Sequence, residues 1–306
     1  MATLHVKAEE VETIEVSPEL KNKIDNTIAT IKDQGYCIVP NFLTPEQVDD
    51  VKYAFENELP VIKMKALGDN TGKTIRGHNL LAKTRSCDYI FLHPFLRGVV
   101  DGMLGSMNRE PQINITTLFN LYPGANKQQL HRDDNLWPIQ RPRPHSLLCN
   151  CVIAISDFDI ENGATHLIPY SHKPEFPELG TTRESQKKIQ NDPTQIQAVM
   201  KAGSILFWEG SMFHGGGANV SKDRQRLGFF ISHVVNYLRP QEMNLLGIPR
   251  SEVQKMPKRL QRLCGYNLFS YGVGGQIDFR DPLQVLRDGQ VVNPKAEVDN
   301  KGYSKM

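Results

Sequence analysis

Apolar residues recur at helical spacing near the start of the chain and alternate with other residues further on. Leu20, Ile24, Ile28 and Ile31 form one stripe, with Ser17-Pro18 as a helix opening before it and Gly35 as a stop after it. Tyr36 to Val39 reads as a short strand. Thr44-Pro45-Glu46-Gln47 has the composition of a capping box, and Val48, Val51 and Phe55 mark the buried face of a second helix. Lys63 to Arg85 is polar and irregular and reads as a long loop. A third helix is expected from Pro94 to about Leu104, against the low propensity of Gly98 and Gly102.

Beyond Pro111 the period shortens. Strands are expected at Ile113 to Tyr122, Gln128 to Arg132, Leu147 to Ser156, Thr165 to Ile168, Ile196 to Met200, Ser204 to Trp208 and Arg226 to Asn236. Short strands bounded by Gly, Pro and Asn predict a sandwich or barrel. Lys173 to Asp192, charged and poor in aromatics, reads as an insertion over one mouth of it. Past Arg239-Pro240 a helical stretch is expected from Arg250 to Leu263, then a polar tail from Asp288 to Met306. No internal repeat is visible. Helices first and strands later predict one α+β domain over 1–306, with a core at about 35–244, a helical extension over 245–287 and a tail over 288–306.

Composition removes several classes of function. Of 306 residues, 39% are apolar and 23% charged, which suits a packed core. The net charge of +2 provides no basic field for nucleic acid. No apolar run is long enough to cross a bilayer, and Met1 to Glu15 has no signal-peptide character. The expected setting is therefore the cytoplasm. Cys37, Cys87, Cys149, Cys151 and Cys264 are scattered and odd in number, so they read as buried thiols rather than a disulfide framework. Without a secretory route the sequons at Asn114 and Asn219 lose their meaning.

Three residues suggest a metal centre. His131 and Asp133 stand at i and i+2, so an extended segment turns both to one side. His214 follows the apolar run Ile205 to Trp208 and precedes Gly215-Gly216-Gly217, where the backbone could turn sharply beside a metal. Two imidazoles and one carboxylate form a facial triad suited to Fe(II), with three positions left open. Twelve residues on, Arg226 starts the apolar run Leu227 to Ile231. An arginine aimed inward from a core strand needs an anion, either an internal acid or the far carboxylate of a dicarboxylate cosubstrate. Arg224 is its rival, but Lys222 and Asp223 mark a solvated turn there.

Several segments in order carry a family resemblance: Gln128 to Asp133, Glu161 to His172, His214 to Asn219, then Arg226 and Leu238-Arg239-Pro240. Over roughly Gly35 to Asn244 the chain resembles the phytanoyl-CoA dioxygenase family of Fe(II)/2-oxoglutarate oxygenases. The resemblance implies a double-stranded β-helix (a jelly-roll, cupin-like core) with supporting helices and the metal at one open end. It implies His131, Asp133 and His214 as iron ligands, Arg226 as anchor of the distal carboxylate of 2-oxoglutarate, and Gln128 and Thr165 as its hydrogen-bonding partners. A carboxylate at Asp133 disfavours the halogenase variant of the chemistry. His145, His166, His172 and His233 read as structural, although His233 could point into the barrel.

With Fe(II), 2-oxoglutarate and O2, the expected reaction is oxidative decarboxylation to succinate and CO2, coupled to attack on a substrate C–H bond. The outcome is hydroxylation, desaturation, rearrangement or endoperoxide formation. Leu148 and Ser232 fall on inward faces of their strands and are the substrate candidates, with Trp137 and Phe213 as apolar walls. A hydrophobic small molecule, a terpenoid or alkaloid of secondary metabolism, is the favoured substrate, because no Lys/Arg cluster awaits a CoA ester. Alternatives are an acyl-CoA hydroxylase, a protein side-chain hydroxylase and a non-catalytic binding module. The sequence leaves open a monomer or a homodimer. Ser304-Lys305-Met306 resembles a peroxisomal address and ranks below cytoplasmic residence.

Overall fold

Capping chemistry fixes the first helices. In α1 (Pro18–Gln34) the Leu20 N–H donates to Ser17 Oγ at 3.2 Å, and Gly35 ends the helix at φ 92° with its N–H on Ile31 O. In α2 (Pro45–Asn57) both halves of the capping box form, between Gln47 N–H and Thr44 Oγ1 and between Thr44 N–H and Gln47 Oε1. A short α3 (Asp88–Phe91) leads into α4 (Pro94–Leu104). The computed structural model describes residues 16–59, 71–105, 110–176, 182–269, 274–278 and 280–288. Gly98 and Gly102 hold α4 against α1: a Cβ on either would run into the Cδ1 of Ile24 or Ile28. Close helix contact thus outweighs the propensity cost of about 1 kcal/mol per glycine.

The strands are β1 (Tyr36–Val39), β2 (Thr74–His78), β3 (Gln112–Leu121), β4 (Leu148–Ala154), β5 (His166–Leu167), β6 (Ile196–Gln197), β7 (Ile205–Glu209), β8 (His214–Gly215) and β9 (Arg226–Val234). Among the described residues, one antiparallel sheet runs β1-β7-β4-β9-β3-β2 and a smaller one β6-β5-β8. The architecture is therefore a mixture of helices with two antiparallel sheets. No described helix is long and apolar enough to cross a membrane. β4 is buried along its whole length and β9 nearly so, and alternation gives each strand two different faces. Cys149, Cys151, Ile153, Leu227, Phe229 and Ile231 pack with Ile31, Phe95, Leu96 and Val99 of α1 and α4 in the main core. Asn150, Val152, Phe230 and Ser232 turn the other way. In β3 a bulge lies between Ile113, paired with His233, and Ile115, paired with Ser232. The extra residue, Asn114, moves the strand from one face to the other.

Four expectations change. Thr74–His78, within the expected loop, is an edge strand paired with β3. Its polar composition reflects a cavity rather than a core, since Thr74, Arg76 and His78 line one. Gln128 to Arg132 is extended but carries only an isolated bridge, His131 to His214. After it the chain coils into a 3₁₀ turn at Asp133–Leu136, where Asp134 is buried in ion pairs with Arg141 and Arg143. The helix expected from Arg250 to Leu263 is two, Arg250–Lys255 and Lys258–Leu263, broken at Pro257. The insertion carries a helix, α5 (Arg183–Gln190), whose Ile189 packs with Leu130, Ile168 and Phe213. None of its described residues lines the cavity. The expected charged N-terminus and the tail over 289–306, with its C-terminal tripeptide, lie outside the described residues.

Candidate metal centre and cavity

His131 arrives on the bridge to β8, Asp133 opens the 3₁₀ turn, and His214 begins β8. One ligand atom from each lies within 4.8 Å of the others. Asp133 Oδ1 is 3.4 Å from His131 Nε2 and Oδ2 is 3.2 Å from His214 Nε2. Both imidazoles have their other nitrogen at a carbonyl: His131 Nδ1 at Gln129 O, 2.8 Å, and His214 Nδ1 at Met212 O, 3.1 Å. A carbonyl only accepts, so each Nδ1 carries the proton and each Nε2 presents a lone pair to the centre. Burial would raise the Asp133 carboxyl, but the two imidazoles, His214 foremost, hold it well below the usual carboxylate range. Burial opposes charge on His131, yet the hydrogen bond and charge of Asp133 raise its pKa above the ordinary value. Two imidazole nitrogens and one carboxylate, converging on one point, fit Fe(II).

The triad opens into a cavity of about 680 Å³. Arg226 projects into it from the first position of β9 and is only 3% exposed. Its guanidinium donates to Gly163 O and packs against the rings of Phe158 and Phe119, at 4.8 and 5.2 Å. Its Nε has no partner, and no acidic side chain among the described residues pairs with it. Burial, with Arg76 adding, pulls its pKa down to about 9. A buried cation without counter-charge fits the carboxylate of a dicarboxylate ligand. Arg224, two residues earlier, is half-exposed and pairs with Asp159 and Glu161.

Gln128 and Thr165 line the same cavity. Gln128 Oε1 accepts the Gly216 N–H at 2.8 Å, which leaves its amide hydrogens to give. The expected sharp turn at Gly215 to Gly217 is absent; the glycines serve close backbone packing. A Cβ on Gly217 would lie 2.6 Å from Ala164 O, and one on Gly163, itself at φ 89°, 2.6 Å from Gly217 O.

Of the substrate candidates, Ser232 lines the cavity. Leu148 is fully buried, is in the main core, and is not in the lining. Trp137 and Phe213 are also outside it. Trp137 caps Arg239 O with its indole N–H, and Phe213 lies beneath the Arg132 guanidinium. The apolar walls are instead Ile115, Phe119, Val152, Trp208 and Phe230. Phe230 stands four residues from Arg226, so the alternation that marked Ser232 marks it equally. His233 turns away from the cavity towards α4, with both ring nitrogens unpartnered, and burial and then Arg97 depress its pKa. His145, His166 and His172 are no part of the triad.

The sequence profile of the phytanoyl-CoA dioxygenase (PhyH) family matches residues 31–227. The chain belongs to that family. Membership makes it a non-haem dioxygenase that works with iron and 2-oxoglutarate, in keeping with the triad and with Arg226. Among relatives of this family, the dioxygenase aneA of Aspergillus aculeatus is 31% identical over 265 residues, covering 81% of this chain and 84% of its own. The multifunctional dioxygenase ausE of Emericella nidulans is 26% identical over 253 residues, covering 79% and 83%. Among solved structures, the non-haem α-ketoglutarate-dependent carbocyclase SnoK from nogalamycin biosynthesis superposes with a TM-score of 0.57 at 18% identity, covering 71% of this chain and 91% of its own. HygX from Streptomyces hygroscopicus, with nickel, 2-oxoglutarate and hygromycin B bound, gives 0.56 at 15%, covering 70% and 88%. These likenesses establish a shared fold.

Proposed function

We propose that His131, Asp133 and His214 hold Fe(II), that Arg226, Gln128 and Thr165 hold 2-oxoglutarate, and that the remaining cavity admits a hydrophobic small molecule of secondary metabolism, a terpenoid or an alkaloid. The two sheets would face each other as a double-stranded β-helix with this centre between them. The observation that carries the reading is Arg226, a buried cation with no acid of its own, in the same cavity as the triad. When bound, iron and cosubstrate supply O2 activation and oxidative decarboxylation to succinate and CO2. The chain does the rest. Gln129 O and Met212 O keep the two imidazoles in the tautomer that binds metal. Arg226 fixes one end of the cosubstrate by paired hydrogen bonds, and Gln128 offers amide hydrogens beside it. Phe119, Val152, Trp208 and Phe230 line the cavity and would exclude water and position an apolar substrate there.

The cavity size favours a small molecule over a protein side chain, being within the range of about 300–1,000 Å³ usual for small ligands. The relatives named as fungal dioxygenases and the neighbour from nogalamycin biosynthesis support a tailoring role. The test is 2-oxoglutarate turnover with Fe(II) across a panel of terpenoids, alkaloids, lipids and acyl-CoA esters, with succinate and product both quantified. Substrate-stimulated succinate with a terpenoid or alkaloid, and a product altered by oxidation, is expected. Stimulation by acyl-CoA esters alone would overturn the substrate class, and failure to take up stoichiometric Fe(II) would overturn the site.

A further inference from the structure

Asn150 sits at the centre of β4, fully buried and facing the cavity side, yet it is not in the cavity lining. Its amide meets Asp133 Oδ2 at 2.8 Å, the same oxygen that faces His214 Nε2 at 3.2 Å. A carboxylate only accepts, so the group towards Asp133 is Nδ2 and Oδ1 points the other way. That Oδ1 is buried with no partner. Directly opposite in register, on β9, stands Ser232.

Ser232 Oγ accepts from Asn114 Nδ2 at 3.1 Å, so its own hydrogen remains to be given. Asn114 is the bulge residue of β3 and is 1% exposed. Its orientation is fixed as well, because Oδ1 accepts the Gln241 N–H at 2.7 Å. Asn114 Nδ2 also gives to Gln241 Oε1 at 3.1 Å, and along the file donors run from the Gln241 N–H to Asn114, from Asn114 to Ser232 and from Asn150 to Asp133. One step is missing, between two residues paired in register across β4 and β9.

We propose that Asn150 is a positioning residue that sets the rotation of the Asp133 carboxylate, and that the Ser232 hydroxyl completes the file by donating to Asn150 Oδ1. A carboxylate turns readily about its last bond. The Asn150 amide holds Oδ2 in place, so that the triad meets the metal already oriented. Gln241 and Ser232 line the cavity, so the file joins its wall to the metal ligand. The inference rests on the proposed iron site and adds a part to it.

The test measures Fe(II) affinity of the whole protein by anaerobic titration, together with the visible charge-transfer absorption of the Fe(II)–2-oxoglutarate complex. Asn150→Leu should weaken Fe(II) by about 10- to 100-fold, the usual cost of losing an outer partner of a metal ligand, and shift the absorption band. Asn150→Ser, smaller and unable to reach Asp133, provides the same measurement if the leucine variant does not fold. Ser232→Ala should weaken Fe(II) less, and should add nothing in the Asn150→Leu background. Folded Asn150 variants with unaltered affinity and absorption would overturn the positioning role. Additive losses would overturn the Ser232 step. A wild-type protein that takes up no Fe(II) would overturn the iron site and this inference together.

Discussion

Arg97 and Arg226 lie on opposite sides of the larger sheet, 2% and 3% exposed, and they are held in opposite ways. Arg97, on α4, has its counter-charge one helical turn away in Asp101, which Arg259 shares at 3.3 Å. Arg226 has a carbonyl, two aromatic faces and no acid. Burial depresses both guanidiniums; Asp101 offsets it for Arg97, whereas Arg76 deepens it for Arg226. The helix-covered side satisfies its charge from within the chain, and the cavity side leaves a charge for a ligand. A buried cation marks a site only when its counter-ion is missing.

The sharpest way to break this contrast is to empty the cavity side of its ligands. His131→Ala, Asp133→Ala or His214→Ala should abolish turnover, because a facial triad has no spare protein donor. Near-normal product from His214→Ala with stoichiometric iron would end the assignment. Next is Arg226→Ala, which removes one partner of a desolvated charge pair at about 2–5 kcal/mol, or roughly 30- to several-thousand-fold in apparent 2-oxoglutarate KM. Arg226→Lys should recover little, lacking the planar fork. Arg224→Ala, at an exposed ion pair, should change KM little; the reverse pattern would exchange the two arginines.

A smaller effect concerns pH. In the metal-free protein Asp133 raises the pKa of His131, so a proton occupies the metal's place at higher pH than for an ordinary imidazole. Fe(II) affinity should therefore fall as pH falls through that raised pKa, by up to about tenfold per unit. An Fe(II) affinity flat from pH 8 to 6 would show that His131 does not bind the metal. The smallest effects belong to the helix side. Gly98→Ala forces a methyl into Ile24 and should cost about 1–3 kcal/mol in stability, read as a lower Tm, with 2-oxoglutarate KM unmoved. A change in KM would mean that the two sides are coupled through the sheet.

Local chemistry was most legible where chain neighbours decide it. Ser17, Gly35 and the Thr44 box set the helix ends, and α4 falls on its expected bounds. The triad and Arg226 were visible because strand alternation and charge cost act residue by residue. β2 was not, because Thr74, Arg76 and His78 line a cavity and so break the apolar alternation that identifies strands. Trp137 and Phe213 were misplaced for the related reason that an aromatic near the site in sequence need not face it. The bulge at Asn114 was illegible too: nothing in Ile113-Asn114-Ile115 announces that two isoleucines two apart point to opposite faces. Leu148 has the expected parity, but Gly210 lets it pack where the cavity does not reach.

The side of the sheet that holds Arg97 also holds the thiols of Cys149 and Cys151, a strand's thickness from a centre built to activate oxygen. Burial, with the charge of Glu209 nearby, pushes Cys149 up to about 12, and burial places Cys151 well above the ordinary range. Cys87 and Cys264 are likewise pushed up to about 12. The thiolate is the form that peroxide attacks and that climbs the ladder to sulfenic and sulfinic acid. Kept protonated and dry, these four sulfurs are poor targets for stray oxidant released when turnover misfires. Burial in the main core thus protects these thiols from the chemistry proposed on the other side of the sheet.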